Sequence, residues 1–200
     1  LWFPFEESAE ELVQKFLDRN EDLPPFFTPS AMVGDTLFWI EQKIVEAIAK
    51  YDTRLVFIDH LGFIVPPGSE NLADRITVVM RGLKTLAKRW GIILFIMAHT
   101  KKFHTDAPPA LSDIKDSSGP AQESDTVIML WREVKKQNGQ PVMTNNVNVS
   151  VQANRRWSKT GVVPMVFSNG HFHEGDWQHT EKSDATEDIE DVITWDNNKS

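Results

Sequence analysis

The sequence predicts an α/β fold in which a mostly parallel sheet is flanked by helices and followed by a C-terminal antiparallel hairpin and an acidic tail. Continuous apolar runs at 55–58 and 92–98 are typical of parallel strands, which are buried on both faces, and a helical pattern separates the two runs. Two later strand-like segments, 148–153 and 162–168, are joined by a short polar loop, which predicts the hairpin. Residues 175–200 are acidic and poor in core-forming side chains, which predicts a disordered tail.

In chain order, the first predicted elements are a strand and two helices. The strand lies in the apolar segment at residues 1–5. Ser8 followed by Glu11 has the spacing of a capping box, so a helix is expected to begin directly after Ser8. The second helix is predicted over 30–50, where apolar residues recur at helical spacing.

The clearest helical pattern lies between the two apolar runs. Gly91 follows it as a stop signal, and a later apolar run at 126–131 predicts a further buried strand. Because strands and helices alternate, we expect right-handed crossovers within a parallel sheet. The apolar residues of the helix are Leu72, Ile76, Val79, Leu83, Leu86 and Trp90.

Composition excludes several classes of protein. The 200 residues include no cysteine, which excludes a disulfide scaffold, a cysteine-ligated metal site and a thiol nucleophile. No apolar run approaches the roughly 20 residues that cross a bilayer, so we expect no membrane contact. Hydrophobic residues at 40% and charged residues at 25% are near the globular average, which excludes a wholly disordered chain. We therefore divide the chain into a domain, 1–174, and the acidic tail, 175–200.

Charge is distributed unevenly along the chain. Residues 1–74 hold 5 basic and 14 acidic groups, a net charge of −9, and residues 174–200 hold 2 and 9, a net charge of −7. Residues 75–159 hold 14 basic and 6 acidic groups, a net charge of +8. Such an asymmetry is typical of a surface that faces a polyanion, although solvated helix faces are the simpler explanation of charge alone.

Polar residues follow each predicted parallel strand: Glu6 and Glu7 the first, Asp59 and His60 the second, and His99 the third. In open parallel sheets the carboxyl ends of the strands line the ligand crevice, so we expect these side chains to converge. Nucleotide hydrolases hold Mg²⁺ on an Asp at such a strand end, and a nearby Glu can deprotonate the attacking water. The structural alternative is that the carboxylates stabilise helix starts and that the histidine only packs.

Four segments resemble motifs of a known family, in the same order along the chain. They are FEESAEE (5–11), LVFIDH (55–60), IMAHTKK (96–102), and LSDIKDSSG followed by QESD (111–125). They resemble the strand end with the catalytic glutamate, the Walker B strand, the histidine phosphate sensor and the channel loop of hexameric replicative DNA helicases. This family has a RecA-like fold and includes bacterial DnaB, phage primase-helicases and mitochondrial Twinkle, and the phage type is the most similar.

The resemblance implies roles for the residues at the strand ends. Glu6 would be the catalytic glutamate, with Glu7 as the alternative. Asp59 would be the magnesium-site carboxylate, acting through water, and His99 would contact the terminal phosphate. The implied cofactors are ATP, or another NTP, and Mg²⁺.

Arg155 and Arg156 lie in the predicted hairpin loop, where an exposed guanidinium can reach phosphates held by a neighbouring subunit, unless both are ordinary surface residues. The resemblance makes one of them an arginine finger. Arg156 lies five residues before Gly161, which is the DnaB spacing, and Arg155 fits the phage spacing. We prefer Arg156. In the family a lysine lies two residues before the finger. Here that position is Asn154 if Arg156 is the finger, or Ala153 if Arg155 is.

The resemblance also implies a contact surface for single-stranded DNA within the basic zone. Lys115 of the channel loop is the leading candidate, and a mobile loop is expected around it. Binding to such a positive groove should weaken steeply with salt. The implied DNA contacts are Lys115, Lys101, Lys102, Ser117, Ser118 and Gly119.

One family motif is absent: the 200 residues contain no Walker A loop, G-x-x-x-x-G-K-[ST], and we expect it upstream of Leu1. The prediction is therefore a DNA helicase motor that translocates on single-stranded DNA as a homo-oligomeric ring, hexameric in the full-length protein. These 200 residues alone are expected to be inactive as an ATPase. The alternatives are a recombinase-like ATPase, which the 113–125 loop disfavours, and a non-catalytic RecA-like binding module.

The resemblance also bears on partners and location. The acidic tail is similar to tails through which phage primase-helicases contact their polymerase, so a polymerase or primase contact is expected there. The predicted location is the cytoplasm of a bacterial or phage-infected cell, and a mitochondrial location stays open.

Overall fold

The computed structural model describes residues 1–18, 25–30, 36–69, 71–101, 109–114, 118–137 and 139–175, with the backbone only at residue 118. The chain divides into two compact units, Leu1–Val127 and Ile128–Ser200. Among the helices of these described residues, none combines the length and the hydrophobicity that crossing a bilayer requires. The predicted tail lies outside the described residues, apart from Gly175.

The first unit contains a parallel sheet of three strands in the order β1-β2-β3. Both strand pairs are parallel, with Trp2 opposite Phe57 and Phe57 opposite Phe95, so the prediction of a parallel sheet is confirmed. Short 3₁₀ turns cover Leu61–Ile64 and Leu111–Asp113. The strands and helices are β1 (Trp2–Pro4), α1 (Ala9–Leu17), α2 (Leu37–Tyr51), β2 (Leu55–Asp59), α3 (Leu72–Trp90), β3 (Ile93–Ile96) and α4 (Ser118–Glu123).

Local signals account for the helix ends. The Glu11 amide donates to Ser8 Oγ at 3.1 Å and the Ser8 amide donates to the Glu11 carboxylate at 2.8 Å, so the predicted capping box is confirmed. Thr36 caps α2, which therefore begins later than the predicted residue 30. α3 ends where Gly91 takes a left-handed conformation with φ of 60°, as the stop signal predicted.

The core lies on one face of the parallel sheet. Alternate strand residues, including Phe3, Val56 and Ile58, pack there against α2 and α3. The opposite face carries a stacked row of Trp2, Phe57 and Phe95 with ring centroids 5.0 and 4.8 Å apart. Phe95 is 42% exposed, so the expectation that these strands are buried on both faces was wrong for the described part of the chain. The reason is that α2 and α3 contribute to the same core cluster.

The second unit is built on a four-stranded sheet in the order β4-β5-β6-β7. The strands β5 and β6 pair antiparallel from Val151 opposite Gly161 to Asn146 opposite Val166, which confirms the predicted hairpin. The run 126–131 joins this sheet and not the parallel one, so its predicted place was wrong. Its alternating burial, with Val127 and Met129 inside, suits a sheet packed on one face. The strands are β4 (Thr126–Gln137), β5 (Gln140–Asn154), β6 (Gly161–Ser168) and β7 (His171–Glu174).

The helix α4 packs closely on α3. A Cβ atom placed on the buried Gly119 would lie 2.7 Å from Thr77 Oγ1 and 3.1 Å from Thr77 Cα. Arg81 Nε and Lys84 Nζ of α3 donate to the carboxylates of Glu123 at 2.9 Å and Asp125 at 2.8 Å. Ser118 and Gly119, which we expected in a mobile loop, therefore lie in a packed helix. Glycine at 119 permits the close approach between the two helices.

Candidate functional site

The candidate site lies at the carboxyl edge of the parallel sheet. Backbone hydrogen bonds continue past the strand ends, from the Phe5 amide to the Asp59 carbonyl at 2.8 Å and from the Met97 amide to the Ile58 carbonyl at 3.0 Å. These bonds join the residues directly after β1 and β3 to the end of β2. Residues far apart in the sequence therefore meet at one edge, as expected for parallel strands.

Three side chains at this edge form a hydrogen-bonded cluster. Glu6 Oε1 lies 2.9 Å from His60 Nε2 and 3.2 Å from His99 Nε2. The two imidazole rings meet edge to face, with centroids 4.2 Å apart. The structure therefore brings together Glu6, His60 and His99, as the sequence predicts. Sequence reasoning gave His60 no role, although its place directly after Asp59 at a strand end was a usable signal.

Asp59 lies beside this cluster with a half-buried side chain. Burial raises the pKa of the Asp59 carboxyl, the nearby Glu6 and Glu7 carboxylates raise it further, and His60 and His99 lower it. A cation here would offset the cost of holding these carboxylates together. Carboxylate oxygens are also the ligands that Mg²⁺ prefers, so the residues fit the predicted magnesium site.

Glu6 and Glu7 have different surroundings. The Glu7 carboxylate forms an ion pair with Lys15 of α1, and its side chain is only 15% exposed. Glu6 faces the two histidines and is 42% exposed. Because a general base needs a free oxygen within reach of water, this difference agrees with the preference for Glu6 over Glu7, and both roles stay predictions.

The residues predicted to contact DNA are only partly described. Lys102, Lys115 and Ser117 lie outside the described residues, as does the side chain of Ser118. Lys101 Nζ donates to the Ser112 carbonyl at 2.9 Å. Lys101 therefore ties the segment after β3 to the 3₁₀ turn that precedes α4, and its contact with DNA stays a prediction.

Arg155 and Arg156 lie in the turn between β5 and β6, within the second unit. The Asn154 side-chain oxygen accepts hydrogen bonds from the Arg156 and Trp157 amides, both at 3.3 Å, and the Asn154 carbonyl accepts one from the Ser158 amide at 2.8 Å. The Arg156 guanidinium stacks over the exposed Trp157 ring, 5.1 Å from its centroid. Local hydrogen bonds therefore shape the turn that presents both arginines.

The match to a protein family covers both units. Residues 6–174 match the family described as DnaB-like helicase C terminal domain. This chain belongs to that family. The match begins at Glu6 and ends at the last residue of β7, so it contains every site residue described above, and it confirms the resemblance found in the sequence.

Curated relatives carry the same family name. Replicative DNA helicase DnaB of Mycoplasma pneumoniae is 26% identical over 67% of this chain and 30% of its own length. The DnaB proteins of Rickettsia prowazekii and Helicobacter pylori are 31% and 36% identical over 42% and 39% of the chain. The chain spans no more than 30% of the length of these three relatives, so it corresponds to a part of each of them.

A solved structure shares the fold. It is described as the structure of a DnaB-like replicative helicase and its interactions with primase, and it matches 86% of this chain and 50% of its own chain with a TM-score of 0.70. Sequence identity in that match is 18%, so the likeness concerns the fold. The predicted α/β architecture is confirmed, and the preference for the phage type stays a prediction.

Proposed function

We propose that this chain is part of the motor domain of an ATP-dependent replicative DNA helicase. The observation that carries the proposal is the convergence of Glu6, Asp59 and His99 at one sheet edge, with Glu6 and His99 3.2 Å apart. Membership of the DnaB-like family supports it. Hydrolysis of a nucleoside triphosphate needs a base, a carboxylate for the magnesium site and a contact to the phosphate, and these are the roles proposed for Glu6, Asp59 and His99.

The proposed reaction is attack of water on the γ-phosphorus of ATP. The new bond forms between the water oxygen and phosphorus, the bond to the bridging oxygen breaks, and ADP leaves with that electron pair. Glu6 accepts the proton of the water, and His99 contacts the terminal phosphate. Asp59 would hold Mg²⁺ through water, and the cation would supply neutralising charge at the phosphates.

The subunit arrangement and the contacts with DNA and with other proteins are proposed from the family. Arg156, or Arg155 as the alternative, would enter the site of a neighbouring subunit as an arginine finger, which requires a head-to-tail interface that closes into a ring. The ring, hexameric in the full-length protein, would translocate on single-stranded DNA held by Lys115 and its neighbours. The acidic tail would contact a primase or polymerase, and the 200 residues alone would not turn over ATP.

The test compares two adjacent glutamates in the full-length protein. We expect Glu6→Gln to lower the kcat of DNA-stimulated ATP hydrolysis by about 10²–10⁴-fold, the usual contribution of a general base, and to stop unwinding of a forked duplex. Glu7→Gln is the matched control and should stay within about threefold, because the lost ion pair with Lys15 is peripheral to the chemistry. If Glu7→Gln lowers kcat more than Glu6→Gln does, Glu7 is the general base and Glu6 is not. A wild-type protein that neither hydrolyses ATP nor unwinds DNA would refute the proposed function.

A further inference from the structure

We propose that His60 is a positioning residue: it holds one oxygen of the Glu6 carboxylate and leaves the other oxygen for the attacking water. The inference rests on the proposed function, in which Glu6 is the general base. It concerns a residue that the sequence placed at the strand end without a role. Both ring nitrogen atoms of His60 make contacts that support this role.

The first contact fixes Glu6. His60 Nε2 lies 2.9 Å from Glu6 Oε1, and the His60 side chain is 17% exposed. His99 reaches the same oxygen at 3.2 Å but is 58% exposed. His60 is therefore the more enclosed partner, with less freedom to leave the carboxylate when a nucleotide enters.

The second contact fixes the tautomer of His60. The Gly62 amide donates a hydrogen bond to His60 Nδ1 at 2.9 Å. A nitrogen that accepts a hydrogen bond carries no proton, so the proton of the neutral ring lies on Nε2. His60 therefore donates to Glu6 and does not compete with it for the proton of the water.

Packing fixes the plane of the ring. The Phe63 ring lies 5.0 Å from the His60 ring, and the His99 ring lies 4.2 Å away on the edge. A Cβ atom on Gly62 would lie 2.6 Å from His60 Cε1 and 3.0 Å from Nδ1. Only glycine at position 62 lets the amide approach the ring closely enough for the hydrogen bond, so a larger residue there must displace the ring.

The result is a carboxylate with two different oxygens. Oε1 accepts from both histidines, whereas the described contacts of the cluster leave Oε2 for another donor. A water bound at Oε2 would have a fixed direction toward the phosphate. Displacement of a catalytic group by about 1 Å can cost roughly 100-fold in rate, so this restraint has a measurable consequence.

A metal ion is the competing explanation of the same cluster. One ligand atom from each of Glu6, His60 and His99 can be chosen so that all lie within 4.8 Å of one another, as in a site for a transition metal. In such sites the second ring nitrogen of a ligating histidine donates a hydrogen bond. In His60 that nitrogen accepts one from Gly62. The hydrogen-bonding pattern therefore favours a positioning role over metal ligation.

Steady-state kinetics of the full-length protein tests the proposal. We expect His60→Leu to lower kcat for ATP about 10–100-fold with KM changed less than about threefold, because Glu6 is misplaced while nucleotide binding persists. His60→Gln should recover most of the activity, since its amide carries an N–H near the position of Nε2. Gly62→Ala should give an intermediate loss by displacing the ring. His173→Leu, in the exposed part of β7, is the matched control and should leave kcat unchanged.

Nitrogen-15 NMR of the histidine rings provides a readout that is independent of activity. We expect His60 in the Nε2-protonated tautomer, whether or not the protein hydrolyses ATP. An Nδ1-protonated ring, a His60→Leu variant with the wild-type kcat, or a His60→Gln variant as slow as His60→Leu would overturn the inference. So would one equivalent of zinc in the purified protein that His60→Leu removes. If wild-type hydrolysis is absent while the tautomer is as expected, the proposed function has failed and the hydrogen-bond assignment stands.

Discussion

The two units support their functional residues in different ways. In the first unit, Glu6, Asp59 and His99 lie at or just beyond the ends of strands whose alternate residues pack in one core with α2 and α3. In the second unit, Met129 and Val147 are the buried apolar side chains among the described residues, and the arginine turn is shaped by Asn154. The packed core of the first unit therefore holds residues that are far apart in the sequence, whereas local hydrogen bonds are enough to present Arg155 and Arg156 in the second.

The largest effect predicted from this comparison concerns the turn that holds Arg155 and Arg156. Arg156→Ala should lower kcat for ATP by about 10³-fold in the full-length protein, because an arginine finger stabilises charge in the transition state. Arg155→Ala is the matched control and should cost much less. Mixing Arg156→Ala subunits with Glu6→Gln subunits should restore part of the activity, since each can supply what the other lacks. Failure of the mixture to recover activity would contradict a site shared between subunits.

A pair of valines tests the difference in packing directly. Val56 of β2 is fully buried in the core cluster, and Val147 of β5 is 5% exposed outside it. We expect Val56→Ala to lower the free energy of unfolding by about 2 kcal/mol and Val147→Ala by about 1 kcal/mol, because a cavity in a close-packed core costs more. Chemical denaturation followed by circular dichroism measures both. Equal losses would mean that the second unit is packed as tightly as the first.

The smallest predicted effect concerns the free-energy cost of ionising Asp59 in the folded protein. Because burial raises the pKa of Asp59 in the folded protein, its ionised form destabilises the fold. The cost is complete above the raised pKa and disappears as the pH falls toward the ordinary value for Asp. In EDTA at neutral pH, Asp59→Asn should therefore raise the free energy of unfolding by about a few tenths of a kcal/mol after solvent screening, and with it the melting temperature slightly. A lower melting temperature at neutral pH would show that Asp59 stabilises the fold.

The sequence predicted the elements whose signals are local. The capping box at Ser8, the stop at Gly91 and the hairpin between β5 and β6 are confirmed because each depends on a few neighbouring residues. The meeting of Glu6 and His99 was also predictable, since strand ends in a parallel sheet share one edge. The roles assigned to these residues and to the arginines remain predictions.

Other features depended on tertiary contacts that no local pattern specifies. The apolar run at 126–131 has the composition of a parallel strand, but β4 continues through polar residues to Gln137 and pairs in the other sheet. The orientation of His60 depends on the Gly62 amide and on two neighbouring rings. Periodicity identifies the elements and the buried face of a helix, but it does not identify the partner of a strand or the tautomer of a ring.

The approach of α4 to α3 also limits how the sequence can vary. At position 119 any side chain would meet the backbone of Thr77, whose Cα and N atoms both lie 3.1 Å from an added Cβ. At Gly161, in contrast, an added Cβ would have no atom of the described residues within 4 Å, apart from those of Gly161 itself and its two chain neighbours. Among variants selected for a folded protein, position 119 should accept almost no residue but glycine, whereas position 161 should drift freely. The constraint at 119 is one of volume, so even alanine, the smallest substitution, would press against Thr77.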